Sequence, residues 1–525
     1  MPGNEKNIPK KVDDVDSDDD CMYTLPLSDD SEFGSPNSDN EENEFNNEEI
    51  FFPGLVLKDE YILLKKIGFG NNANVWMVYE ISAKRFLAMK IQDDKCYLDG
   101  RREVAIILKI NEYVKKNKNK NMYCVTMLDF FVYEQSTEMK FVCTLYDLYA
   151  GSIHMVLRNG KHKYGLPISV VKDITKQLLK ALEMLHNDLR IIHTDVKPEN
   201  ILFKGIPEYH QKIMDLFIKS DFQKKYDKLV TKYDKSQQKF FIDELAGLAF
   251  ECVKNICLLD SKVSGNEELI PDEENEDDDE FIEGEDDESD GGSSNDSDFD
   301  NTAFNKRCQS VNDLIEHIDY HNTHDIEVDG NYDFASVLNN RANGTTRDTK
   351  TVIDDKYILN CQTALTDFGN SYFFEKRTRN EIQDRRYRAP EVVLDLNYGY
   401  ACDIWSVGCV VFELITGFAL FVPEVEPLTK DIHHLFLMEK MLGPIPQRMK
   451  EKSRRRRFLF DKKRNYHIKN IKEFSQCSLK ERLVKQFLFS EEDAEAIVDF
   501  LKNAFEYSPE KRATASDLLK HKWLN

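Results

Sequence analysis

The feature that most constrains this chain is a pair of short acidic motifs set far apart. His193-Thr194-Asp195-Val196-Lys197-Pro198-Glu199-Asn200 supplies a carboxylate, then a lysine, then an amide. Asp367-Phe368-Gly369 follows only after positions 201–366 have intervened. If the two aspartates serve one site, the fold must bring them together and keep the intervening residues out of the way. The flanking residues show how, because Ile201-Leu202-Phe203 and Ala364-Leu365-Thr366 both read as short strands. Paired, they form a hairpin with the insertion at its tip. That placement is thermodynamically mild, since closing a loop costs only about 0.6 kcal/mol per doubling of its length.

Charge divides the chain in the same way. The net charge is −24, with about −13 in 1–50 and about −22 in 205–354, which leaves the remainder at about +11. Residues 1–50 lack periodic apolar positions and are expected to be a disordered acidic N-terminal segment. The insertion 205–354 begins with helical spacing (Ile213, Leu216, Phe217, then Phe241, Leu245, Leu248) and becomes acidic low complexity, so disorder is expected over about 265–350. The blocks 51–204 and 355–525 hold the patterned sequence. Tyr61–Ile67, Asn74–Glu80 and Phe86–Ile91 read as strands, Arg101–Ile110 as a helix, and 141–148 as a buried strand. Over 168–187, Val171, Ile174, Leu178, Leu182 and Leu185 share one helical face. From Arg385 onward the chain reads as mostly helical, with Trp405, Phe412 and Leu414 in its core. No internal repeat is present.

Other classes drop out. The eleven cysteines form no C-x-x-C pair and no His/Cys cluster of zinc spacing, so free thiols in a reducing compartment are expected. No cationic start precedes an apolar stretch, so no signal peptide is expected. The longest apolar run, Ile404 to Ile415, contains Ser406 and Glu413 and is too short and too polar to span a bilayer. The reading is a soluble intracellular protein with no membrane association.

Phosphoryl transfer needs a cradle for phosphates, metal ions and a carboxylate that orients the attacking hydroxyl. Gly68-Phe69-Gly70 lies between two strands where backbone amides can approach phosphate, although Ala73 holds the third glycine position. Lys90 ends the third strand as a cation for the α- and β-phosphates, and Glu103 on the next helix is the acid to hold it. Ile67, Val75, Ala88, Tyr146 and Leu148 complete the candidate ATP-binding set. Asp195 is the candidate catalytic carboxylate and Lys197 the neutralising cation, with Asn200 and Asp367 as candidate magnesium ligands. Alone, each acid reads as a solvated loop residue and the lysine–glutamate pair as surface decoration. In this order, followed by Ala389-Pro390-Glu391 and Asp403-Ile404-Trp405-Ser406, they read as one site.

At these residues the chain resembles the eukaryotic protein kinases, and among them the SR-protein kinases, which phosphorylate serines in arginine–serine repeats. Four features carry the closer resemblance over 51–204 and 355–525: Thr194 where most kinases have Arg; a short segment from Asp367-Phe368-Gly369-Asn370 to Tyr387-Arg388-Ala389-Pro390-Glu391; the tail Ser508–Thr514 with His521–Asn525; and a large spacer between the two motifs. The resemblance implies an α+β, two-lobed kinase fold with a long, partly disordered spacer insertion. It implies ATP and Mg2+ as cofactors, arginine/serine-rich protein substrates, no direct nucleic-acid partner and a monomer. It also implies activity without activation-loop phosphorylation, because Thr194 cannot pair with a phosphate. Two readings stay open beside it: a kinase of the same group with unrelated substrates, and a pseudokinase scaffold.

Departures from the family pattern bear on those alternatives. Asp384 stands where this group has Thr, so it either pairs with Lys197 at the expense of Asp195 or turns outward toward a basic substrate. The acidic docking region corresponds to Glu424, Glu426 and Asp431, thinned by Ile432 and His433. The basic run Arg454–Arg457 with Lys462-Lys463-Arg464 reads as a nuclear-entry signal or a solvated loop, and cytoplasm and nucleus are the expected locations. The acidic tract 272–290 reads as a solubilising segment or as an internal partner for Arg454–Arg457. Ser17, Ser28, Ser31 and Ser297, set among acids, read as acceptors for an acid-directed kinase or as chance.

Overall fold

The computed structural model of the chain describes residues 50–70, 73–117, 122–137, 139–158, 162–233, 235–264, 355–359, 361–376, 381–423, 429–471 and 476–525. The acidic N-terminal stretch, the acidic tract of the insertion and the four serines set in acid lie outside them.

The first lobe is built on an antiparallel sheet of β1 (Val56–Leu57), β2 (Tyr61–Phe69), β3 (Ala73–Glu80), β4 (Arg85–Gln92), β5 (Met127–Glu134) and β6 (Lys140–Tyr146), in the order β1-β2-β3-β4-β6-β5. Helix α1 (Tyr97–Lys116) packs on β5 and β6. Tyr61-Ile62-Leu63-Leu64 and Trp76-Met77-Val78-Tyr79 are apolar at both parities, whereas a sheet wet on one face alternates. Both faces are in fact covered. Tyr61, Leu63, Trp76 and Val78 pack with Phe51, Phe131 and Phe141. Ile62, Leu64, Met77 and Tyr79 pack instead with the start of the insertion.

After β6 come β7 (Tyr149–Ser152), α2 (Ile153–Arg158), α3 (Ile168–Glu183), β8 (Ile191–Ile192) and β9 (Ile201–Lys204). The insertion then forms α4 (Glu208–Lys219), α5 (Phe222–Lys232) and α6 (Gln238–Ser264). Phe217 and Phe222 are buried, and their rings lie 4.8 and 5.9 Å from that of Tyr79. Burial of each contributes about 1.5–3 kcal/mol over exposure, which explains why these helices stay on the sheet. The chain returns through helix Asp355–Leu359 to β10 (Thr363–Leu365), antiparallel to β9 with Thr363 opposite Phe203 and Leu365 opposite Ile201. The expected hairpin therefore exists. Its base is pinched by Tyr357, whose ring would lie 2.1 Å from a Cβ at Gly205 (φ +138°) and whose hydroxyl donates to the Ile206 carbonyl. Only glycine fits that backbone.

The second lobe is helical. Helix Ala401–Thr416 is buried from Cys402 to Thr416, which accounts for its lack of a polar face. Among the described residues no helix is long and apolar enough to cross a membrane, and every described cysteine is free.

One buried histidine makes the insertion acid-sensitive. His210 on α4 is 6% exposed, and burial pulls its pKa down to about 4. The folded form keeps it neutral while the unfolded form takes a proton below about 6.5, so its contribution is present above that pH and lost on acidification. Between pH 7 and 5 the docking of α4 should weaken by about 2 kcal/mol. Hydrogen exchange in α4 would accelerate correspondingly, and His210→Leu should flatten the pH dependence.

Candidate active site

Strand register assembles the first half of the site. Gly68 on β2 lies opposite Val75 on β3, Val75 opposite Lys90 on β4, and Lys90 opposite Thr144 on β6. Ala88 faces Tyr146 in the same ladder. The Lys90 ammonium donates to both carboxylate oxygens of Glu103 (2.8 and 2.9 Å) and to Asp367 Oδ1 (2.9 Å). Burial pulls the Lys90 pKa down, but Glu103 and Asp367 outweigh it and the amine stays charged. In turn, Lys90 holds the Asp367 carboxyl down to about 2. Gln92, on the same side of β4 as Lys90, donates to Glu103 Oε2 at 2.6 Å. Gly100 gives it room, since a Cβ there would lie 1.8 Å from Gln92 Oε1.

Asp403 organises the second half. Fully buried on helix Ala401–Thr416, it accepts the backbone N–H groups of His193 and Thr194, both at 2.8 Å, and lies 2.9 Å from His186 Nε2. The His193 ring lies 3.1 Å from the Thr366 carbonyl and accepts the Asp195 N–H at 3.2 Å. Asp195 Oδ2 meets Lys197 Nζ at 2.8 Å, and Asn200 Nδ2 donates to the Asp195 carbonyl (2.9 Å) and carboxylate (3.1 Å). Burial opposes the charge on Lys197, yet Asp195 raises its pKa. The hairpin completes the approach, because Thr366 N–H donates to the Asn200 carbonyl at 2.9 Å.

Two residues here sit at positive φ, Thr194 at 65° and Asp367 at 64°. Aspartate tolerates that region, whereas β-branched threonine pays of the order of 1–3 kcal/mol for it. Thr194 is held there by Asp403 and by its hydroxyl, which donates to the Asn370 carbonyl at 2.6 Å. Three further ties join the same segments: β11 (Tyr372–Phe373) pairs with β8, Ser371 Oγ donates to the His193 carbonyl, and Arg190 bonds Glu375. The segment after Gly369 is thus anchored as far as Glu375 by protein groups alone.

Most of the expected site residues converge: Lys90, Glu103, Asp195, Lys197, Asn200 and Asp367 form two adjoining charged clusters. Tyr146 is half-buried and close enough to Glu103, Lys90 and Asp367 to feel their charges, and desolvation first, then Glu103, raises its pKa. Ile67 and Leu148 also pack against the apolar cluster that the sheet shares with the insertion helices. Asp384 does not form an ion pair with Lys197, although its charge lies near enough to help raise the Lys197 pKa. It accepts from Arg386 N–H (3.0 Å) and Nε (3.2 Å), capping the turn Arg385–Tyr387. Asp431 is taken by two arginines, Arg385 and Arg455, while Glu424 and Glu426 lie outside the described residues. Arg454 bonds Asp395 and Asn397, so half of the basic run is already committed within the lobe. Sequence reasoning missed Gln92, which strand alternation from Lys90 could have found. It also missed Arg102, whose guanidinium donates to the Gly369 carbonyl at 2.9 Å, and nothing in its neighbourhood signals this.

A nucleotide with a divalent cation fits these residues. Among the described residues, a Cβ at Gly68 or Gly70 would meet atoms no closer than 3.5 and 3.8 Å, and neither glycine has positive φ. Folding does not require glycine there, whereas close approach of phosphate to backbone does. With Asp367 Oδ1 on Lys90 and Asn200 Nδ2 on Asp195, one carboxylate oxygen and one amide oxygen remain as hard donors. No cluster of three or more metal-ligating side chains exists among the described residues. Two protein oxygens completed by phosphates is the usual form of such a centre.

The protein kinase domain family matches residues 61–237 and 353–524. The chain belongs to the protein kinase family, with its catalytic domain split by a long insertion. Serine/threonine-protein kinase L205 of Acanthamoeba polyphaga mimivirus is 51% identical over 522 residues, 97% of this chain and 94% of that one. Protein kinase dsk1 of Schizosaccharomyces pombe is 27% identical over 480 residues (88% and 80%). SRSF protein kinase 3 of Mus musculus is 25% identical over 503 residues (90% and 87%). The relatives are kinases of the SR-protein type and a viral serine/threonine kinase, and the kinase domain implies ATP and a divalent cation.

Proposed function

We propose that this serine/threonine kinase transfers the ATP γ-phosphate to serines of arginine/serine-rich proteins, with Mg2+ as its cation. Asp195 orients the substrate hydroxyl, and Lys197 offsets charge on the moving phosphate. Asp367 and Asn200 supply the oxygens for the cation. Lys90, fixed by Glu103, holds the α- and β-phosphates, and the turn from Gly68 to Gly70 with Ile67, Val75, Ala88, Tyr146 and Leu148 encloses the nucleotide. The observation that carries this reading is the meeting of Lys90 and Asp367, 277 positions apart, at 2.9 Å beside the Asp195–Lys197 pair. The anchoring of residues 370–375 by Thr194, Ser371 and Arg190 supports activity without loop phosphorylation. The pseudokinase scaffold rested on Asp384 alone, and Arg386 draws that carboxylate into a turn cap rather than an ion pair with Lys197.

The arginine/serine preference is supported by the relatives named as SRSF kinases. A second reading, a kinase of the same group with other substrates, is favoured by one observation: Arg385 and Arg455 already neutralise Asp431, and an arginine-rich peptide requires a negative groove. Protein substrates, a monomeric enzyme, and residence in cytoplasm and nucleus complete the proposal. The test is incorporation of labelled phosphate, with protein purified and pretreated with phosphatase, into parallel arginine–serine, acidic and proline-directed peptides. Arginine–serine peptide is expected to be labelled at least about tenfold faster than the others. Label confined to another peptide would sink the substrate class, and an inert phosphatase-treated enzyme would sink the phosphate independence.

A further inference from the structure

A cavity of about 730 Å³ opens where α4 and α5 meet the first-lobe sheet, and it shares no residue with the candidate active site. Its size suits a ligand or a peptide anchor. The floor is aromatic, made by Tyr79, Phe217 and Phe222, and Ile218 stands at its lip 59% exposed. Those three rings are themselves almost fully buried, so the apolar surface here that gains by being covered is Ile218 at the lip. Lys84, Lys224 and Lys228 line the cavity, all exposed and none in an ion pair with another described residue. Other lysines of the same helices do find glutamates: Lys212 with Glu208, Lys225 with Glu251, Lys232 with Glu244. Asp221 and Asp227 also line the cavity, Asp227 accepting from Gln223 at 2.9 Å. The occupant that fits has an apolar anchor within an acidic run.

The chain carries one such run within the same insertion. Glu276-Asp277-Asp278-Asp279-Glu280-Phe281-Ile282-Glu283-Gly284-Glu285-Asp286-Asp287-Glu288 is acidic throughout, except for Phe281-Ile282 and Gly284. Helix α6 passes beside the cavity, with Cys252 Sγ 4.0 Å from the carbonyl of Ser220, the neighbour of Asp221. From Cys252 to the helix end at Ser264 is a rise of about 18 Å. The residues between Ser264 and Phe281 reach up to about 55 Å when extended. The tether is ample, and a tethered segment acts at an effective concentration near the millimolar range. By contrast, Arg454 and Arg455 of the basic run are already paired with Asp395 and Asp431.

We propose that this groove seats the chain's own segment 276–288, with Phe281 and Ile282 against Ile218 at the lip of the aromatic floor and the flanking carboxylates against Lys84, Lys224 and Lys228. Zero-length carbodiimide coupling tests it, because the reagent joins a carboxylate only to an amine in contact with it. In dilute full-length protein, peptide mass spectrometry should find 276–288 joined to Lys84, Lys224 and Lys228 about tenfold more often than to Lys462 and Lys463 of the basic loop. The double substitution Phe281→Asp/Ile282→Asp keeps every lysine and adds carboxylates, yet should lower those joins about tenfold by removing the anchor. Joins spread evenly over the surface lysines, or concentrated at Lys462 and Lys463, would overturn the proposal. So would joins indifferent to the double substitution, or joins formed chiefly between isotopically distinct copies.

Discussion

Asp195→Asn is expected to lower kcat by about a thousandfold while leaving the melting temperature almost unchanged. The substitution keeps size and keeps an acceptor oxygen, so Asn200 and Lys197 retain a partner; what it removes is the negative charge. In the proposed role that charge orients the substrate hydroxyl and receives its proton as the bond to phosphorus forms. The neighbouring groups are arranged around it rather than by it. Asp403 fixes the loop through the His193 and Thr194 amides, and the Thr366 to Asn200 bond fixes the far side. Loss of charge therefore should not unravel the loop. Measuring single-turnover phosphate transfer together with thermal unfolding separates the two effects. A variant with a drop of tenfold or less would remove Asp195 from the proposed chemistry, and an equal fall in stability would make its part structural.

Much of the fold could be read in advance where one local pattern decided one element. The strands β2 to β4, helix α3 and the buried helix Ala401–Thr416 each follow from apolar spacing. The hairpin of β9 and β10 was legible because both strands are short apolar runs flanking the two acidic motifs. What was not legible was the partner of the outer sheet face. Ile62, Leu64 and Met77 announce a second covered face, but no pattern in β2 or β3 says that Phe217 and Phe222, far along the chain, supply the cover. The site divides in the same way. Lys90, Glu103, Asp195, Asn200 and Asp367 stand at recognisable spacings, so their convergence was foreseeable. The pose of Asp384 was not, because its choice between Lys197 and Arg386 is decided by turn geometry two residues on. The positive φ of Thr194 likewise depends on Asp403, a residue from another helix.

The largest stability effect is expected at a pair that touches no substrate. Glu391 and Arg512 are wholly buried, and two parallel bonds of 2.8 and 2.9 Å join them. The guanidinium also donates to the carbonyls of Ala401, Glu506 and Tyr507 and lies 5.1 Å from the Trp405 ring centre. It thus ties the end of the activation segment to the start of helix Ala401–Thr416 and to the C-terminal tail, adding the tail to a joint that Gln383 and Tyr387 already make with Cys402, Ser406 and Glu413 of that helix. Arg512→Met leaves a buried carboxylate without its cation and removes the guanidinium bonds to three carbonyls, a change that costs about 3–5 kcal/mol. In a lobe of this size that is a fall in melting temperature of the order of 10 °C. Glu391→Gln should cost less, because an amide oxygen still accepts from Arg512. The double variant Glu391→Leu/Arg512→Met should recover part of the loss, since most of the penalty in the single variant comes from stranding a charge rather than from losing a bond. If Arg512→Met melts within about 2 °C of the parent, the pair does not hold the lobe together, and the joint between activation segment and tail must rest on Trp405 and its apolar neighbours alone.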